Sequence, residues 1–168
     1  MIEIGFDEGV YVLGTPPEED CEEYRRSPFD LTYFGFERPI HLRVDGVDLM
    51  ADAEGTPAES TLVGFATALQ HAVVLCAESG EADLDLPVPM LEPWGTVHLR
   101  LGPDGSVGLE NGTTGVRVVV GLSDLQSAVA RCADQVRTYL LGKCPNLIDD
   151  EAWGFWFRGE DRRWWCVD

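Results

Sequence analysis

Apolar and polar residues alternate over Val97-His98-Leu99-Arg100-Leu101, the period-2 signature of a strand with one buried face. Pro103-Asp104-Gly105 then supplies turn chemistry: a pre-set φ, a side chain that bonds the backbone ahead, and a residue tolerant of positive φ. A three-residue loop with a G1 bulge sets Leu101 opposite Val107 and Leu99 opposite Leu109. A two-residue loop would pair Leu101 with Gly108 and Arg100 with Leu109, dividing the apolar faces, so the longer loop is expected. Asn111-Gly112 and Gly115 punctuate the chain before a third strand, in which Val116, Val118 and Val120 face one way. A helix is expected from Ser123, with Gln126 completing a capping box. Leu125, Ala128, Val129, Cys132, Val136, Tyr139 and Leu140 make one continuous stripe along it, and Gly142 is the expected stop.

An earlier stretch has the same plan. Ile40, Leu42 and Val44 lead to Asp45-Gly46, and Val47, Leu49 and Ala51 return; a two-residue type I′ turn pairs Val44 with Val47 and Leu42 with Leu49. Thr56-Pro57-Ala58-Glu59 reads as a second capping box with proline at the first helical position. Leu62, Phe65, Ala66, Leu69, Ala72, Val73 and Cys76 form the second stripe, ending by Gly80. Val63 and Val74 lie off that stripe, which implies burial on more than one side. Ile2, Ile4 and Phe6 with Val10 and Val12 suggest a short strand pair, Thr15 to Pro28 an acidic loop, and Leu31 to Phe36 a further strand.

These elements predict one α+β domain over residues 1–168. Its parts are a strand-hairpin-helix unit at 31–79, a strand-strand-strand-helix unit at 94–141 and an aromatic tail at 146–168, with a proline-rich crossing (Pro87, Pro89, Pro93) between the units. The expected architecture is an antiparallel sheet of about five to seven strands with two long helices packed on one face.

Composition narrows the function classes. The chain carries 30 acidic and 12 basic residues, a net charge of −18. Nucleic acid is not an expected ligand, because phosphate binding needs a basic footprint. No run of apolar residues reaches the roughly 20 needed to span a bilayer, and no leader is visible after Met1. A cytoplasmic protein without a membrane partner is therefore expected. The five cysteines show no C-x-x-C spacing; Cys76 and Cys132 lie on helical stripes and read as small core residues, while Cys144 and Cys166 could meet. Neither a metal nor a cofactor is expected. Glu81, Asp83 and Asp85 read as an acidic loop.

Nucleotide-binding, zinc-protease and nucleophile-elbow motifs are all missing from the sequence, so no catalytic residue is assigned and enzyme activity has no support. One alternative site follows from strand alternation. If the apolar faces of both hairpins turn to the helices, the opposite face carries His41, Arg43, His98, Arg100 and Arg117 beside Asp48 and Glu110. Such a face could clamp an anion with its arginines and use a histidine as general acid or base. The bland reading is a set of ordinary cross-strand ion pairs, or arginines stacked under the aromatic tail.

The tail places Trp153, Phe155, Trp156, Phe157, Trp164 and Trp165 close together, and Glu18, Glu19, Asp20, Glu22 and Glu23 form an acidic run. In size, acidity, layout and surplus of aromatics the chain resembles the immunity proteins of bacterial toxin systems. That resemblance implies a basic protein partner whose active site is occluded. Trp153, Phe155, Trp156, Trp164 and Trp165 would then be anchors, and the acidic run Glu18, Glu19, Asp20, Glu22 and Glu23 would steer the encounter. Arginine in preference to lysine, with abundant alanine and glycine, is similar to chains of GC-rich bacteria. Two other readings stay open: a small enzyme or anionic-ligand-binding domain using the His/Arg face, and a structural homodimer that buries its tail against a second copy.

Overall fold

The computed structural model describes residues 1–8, 36–86, 96–151 and 153–160. Val10, Val12, the acidic run with Glu18, Glu19, Asp20, Glu22 and Glu23, the expected strand up to residue 35, the proline crossing, and Trp164 and Trp165 lie outside them. In chain order the elements are β1 (Ile2–Phe6), β2 (Glu37–Val44), β3 (Val47–Asp48), β4 (Ala58–Thr61), α1 (Leu62–Ser79), β5 (Glu81–Leu84), β6 (Val97–Leu101), β7 (Ser106–Asn111), β8 (Arg117–Gly121) and α2 (Leu122–Lys143). A 3-10 turn (Pro145–Asp149) and a single helical turn, α3 (Gly154–Phe157), follow.

The chain is α+β, but its strands form two antiparallel sheets of four rather than one sheet of five to seven. In the first, β2 pairs with β1 along one edge and with both β3 and β4 along the other; the second runs β5-β6-β7-β8. The single-sheet expectation fails because β4 returns to β2, opposing Ala58 to Ile40 and Thr61 to Glu37. With β1 on its other side, β2 then has both edges occupied, and among the described residues no strand of the first sheet pairs with one of the second.

Both hairpin registers agree with the turn chemistry. Leu99 opposes Leu109 and Leu101 opposes Val107, with Gly105 at φ 79°. Val44 opposes Val47, and Asp45 and Gly46 sit at φ 49° and 85° as a type I′ turn requires. β1 takes β2 as its partner, Ile4 facing Leu42 and Gly5 facing His41.

Neither capping box forms. Residues 58–61 are a strand, and α1 starts at Leu62 with no side-chain cap. α2 starts at Leu122, again without one, because Gly121 is still paired with Ser106 in the sheet. In both units the strand's last residue, Thr61 or Gly121, becomes the helix N-cap, and no side chain caps the first-turn N–H groups from it. Gly80 does stop α1, in the left-handed region with its N–H on the Cys76 carbonyl. α2 continues through Gly142 to Lys143.

Most valines and leucines of both hairpins turn inward; Val47, beside the turn, is exposed. Leu42, Leu99, Val107 and Leu109 join Leu62, Phe65, Leu69 and Cys76 of α1 and Leu125, Cys132, Val136 and Leu140 of α2 in one core. α1 is, by length and composition, apolar enough to cross a membrane, but 56% of that window is buried inside the protein. Asn111 ties the sheets together: its Nδ2 donates to the Leu49 carbonyl at 2.9 Å, and its Oδ1 accepts from the N–H groups of Thr113 and Thr114, both at 2.8 Å.

Candidate functional site

The outer face of the second sheet is a charged surface in register. One row crosses all four strands as Asp83, His98, Glu110 and Arg117, and the next as Glu81, Arg100, Gly108 and Val119. His98 Nδ1 lies 2.6 Å from the Asp83 carboxylate, and Arg117 donates to Glu110 at 2.8 Å. That bond holds the Glu110 carboxyl below its ordinary value and raises the Arg117 guanidinium in turn. Arg100, exposed, has no hydrogen-bond or ion-pair partner among the described residues. The missing side chain at Gly108 leaves a shallow cleft of about 210 Å³ lined by His98, Arg100, Glu110, Arg117 and Val119. Val119 is 69% exposed. Glu81 and Asp83, expected in a loop, are strand residues facing Arg100 and His98. Carboxylates therefore engage two of the three expected clamps, and an anion would meet Glu81, Asp83 and Glu110 on the same face.

His41 and Arg43 do not share that surface. They lie on β2 of the other sheet, so the proposed single His/Arg face is divided in two. Arg43 donates to Asp48 at 3.1 Å. His41 is buried, because β2 is covered on both faces over most of its length. It lines a cleft of about 440 Å³ between β1 and α2, with Glu3, Gly5, Phe6, Glu8, Gln135, Thr138 and Tyr139. Burial, helped by Arg43, lowers the His41 imidazole below its ordinary value, against the opposing pull of Glu3, Asp48 and Asp7. Burial thus favours the uncharged ring. Its Nε2 stands 3.8 Å from the Glu3 carboxylate, too far for a hydrogen bond, and its Nδ1 has no hydrogen-bond partner among the described residues.

The aromatic tail, as far as it is described, is core. Trp153, Trp156 and Phe157 are buried and Phe155 packs against them. Trp156 Nε1 donates to Gln70 of α1 at 2.9 Å, while Arg137 of α2 sits 5.2 Å from its ring centroid. The tail thus closes over the two helices rather than over the His/Arg face. Trp153, Phe155 and Trp156 are spent on the interior and are not exposed anchors. The signal was present in the sequence: a tryptophan with a fixed N–H needs a buried acceptor, and Gln70 is a polar residue one position past the Leu69 stripe.

Cys76 and Cys132 are free and buried, and burial pushes the Cys132 thiol up to about 12. Cys144 is disulfide-bonded; Cys166 lies outside the described residues. Among the described residues, no group of three His, Cys, Asp or Glu side chains is placed to hold a metal.

No protein-family model, curated protein or solved structure matches this chain.

Proposed function

We propose that the chain is an acidic protein-binding protein that captures and occludes a basic partner, as immunity proteins do. The observation that carries this reading is a charge excess that local pairing leaves in place. The acids outnumber the bases by 18, and Arg43, Arg117, Arg137 and Arg158 are each already tied to one carboxylate. Uncompensated carboxylates set the outward field, which accelerates encounter with a cationic protein. The outer face of the second sheet is the docking surface in this reading. Its cross-strand pairs hold side chains in place before contact, lowering the ordering cost of association, and Val119, on the edge strand β8, offers apolar area beside the cleft.

The test is association with the product of the adjoining reading frame, followed from low to high salt. The on-rate should fall steeply with salt, and Val119→Lys, at an exposed site, should weaken the complex without unfolding the chain. A salt-independent on-rate, or full affinity in both Val119→Lys and Glu81→Lys, would remove the proposal.

A further inference from the structure

The cleft between β1 and α2 is built differently from the open sheet face. Glu3 and Glu8 bring two carboxylates to it, Gln135 and Thr138 add polar groups from α2, and Phe6 and Tyr139 form an apolar wall, their rings 5.2 Å apart edge to face. At its floor the His41 side chain, only 10% exposed, makes no hydrogen bond to any described residue. Buried polar groups are nearly always bonded, and His41 Nε2, the ring nitrogen beside Gly5 and Glu3, reaches only the Glu3 carboxylate at 3.8 Å, too far for a hydrogen bond. Gly5 keeps it open: a Cβ there would come within 3.0 Å of His41 Nε2.

We propose that this cleft binds an organic cation, a guanidinium or primary ammonium group. Carboxylates, an amide oxygen and a neutral imidazole are all acceptors, and they suit a ligand made of N–H donors. The aromatic wall accommodates the aliphatic stem that carries such a group. No three-ligand metal geometry exists there among the described residues, which favours an organic cation over a metal ion. The cation can come from an arginine or lysine side chain of a protein partner or from a free amine. The first source rests on the function proposed above; the second does not.

The test is an NMR titration of the full chain, observing the His41 ring and the Gln135 side-chain amide. Nα-acetyl-L-argininamide is compared with its neutral isostere Nα-acetyl-L-citrullinamide, and agmatine with an arginine tripeptide capped at both ends. Argininamide should shift both signals and bind about tenfold more tightly than citrullinamide, the scale of one charge-assisted hydrogen bond. Glu3→Gln should weaken it by a similar factor, and Gly5→Ala should block the cleft. Glu3 is 63% exposed, so its variant stays informative should Gly5→Ala fail to fold. Binding of the capped tripeptide assigns a protein side chain as the source; binding of agmatine alone assigns a free amine. Equal affinity for the citrulline analogue, unmoved signals, or an unaffected Glu3→Gln would overturn the proposal. None of these bears on the salt and Val119 measurements, which test the protein-binding function separately.

Discussion

Asn111 should be among the most sensitive polar positions in the chain. It is 5% exposed and makes the cross-sheet bond to Leu49 together with two bonds that close the turn after β7. In Asn111→Ala the Leu49 carbonyl loses a buried donor, at about 1–3 kcal/mol for an orphaned buried group. The Thr113 and Thr114 N–H groups lie nearer solvent and recover water, so each adds about 0.5 kcal/mol. The expected total is about 3 kcal/mol, a large share of the 5–15 kcal/mol typical of a domain. Asn111→Asp separates the two roles. Its carboxylate can still close the turn, but it sets an oxygen against the Leu49 carbonyl, so it should cost more than alanine does. Urea unfolding followed by far-UV circular dichroism measures both variants. A loss below about 0.5 kcal/mol for alanine, or an aspartate variant as stable as wild type, would refute the view that this bond couples the sheets.

Three further predictions follow from local contacts. Trp156→Phe removes the N–H that Gln70 accepts and should cost about 1–3 kcal/mol in the same unfolding assay; a neutral result would mean the tail contributes packing area alone. Cys76 and Cys132 should resist alkylation in the native protein, Cys132 because its thiol is held up at about 12, and should react fully in urea; peptide mass spectrometry reads this directly. The folded His41 imidazole lies below its ordinary value of 6.5, through burial first and Arg43 second. Its contribution to stability is therefore fully present above that value and is lost as pH falls toward the folded pKa. Replacing His41 with Gln should flatten the acid limb of the stability profile below pH 6.5, and an unchanged limb would assign that loss to other groups.

Local chemistry made the hairpins legible and the helix starts misleading. Asp45-Gly46 and Pro103-Asp104-Gly105 each require backbone angles that few other residues adopt, and the apolar alternation on either side accepts only one register. Thr56 to Glu59 and Ser123 to Gln126 satisfy the pattern of a capping box equally well, yet both lose to sheet pairing. Ala58–Thr61 finds β2, a partner some twenty residues back, and Gly121 finds Ser106. A capping box is worth about 1 kcal/mol, whereas a strand that completes a sheet satisfies several backbone groups and buries Ala58, Ser60 and Thr61 together. The longer-range gain wins, and no window of a few residues contains it.

The same imbalance governs the site. His98, Arg100, Glu110 and Arg117 were readable as neighbours because the hairpin register follows from its turn. Glu81 and Asp83 were not, since β5 joins β6 across an intervening segment and its four residues carry no alternation long enough to mark a strand. His41 shows the deeper limit. Alternation over β2 implies one wet face, but β2 is buried on both, and a histidine in such a strand reads the same as one in solvent. Only the pairing of β1 with β2 sets Gly5 over the His41 ring, and only the packing of α2 beside β1 brings Gln135 and Thr138 to the cleft. The cleft is thus a product of contacts distant in the chain, while the charged sheet face is a product of contacts between neighbours. The sequence could suggest the second and had no means of suggesting the first.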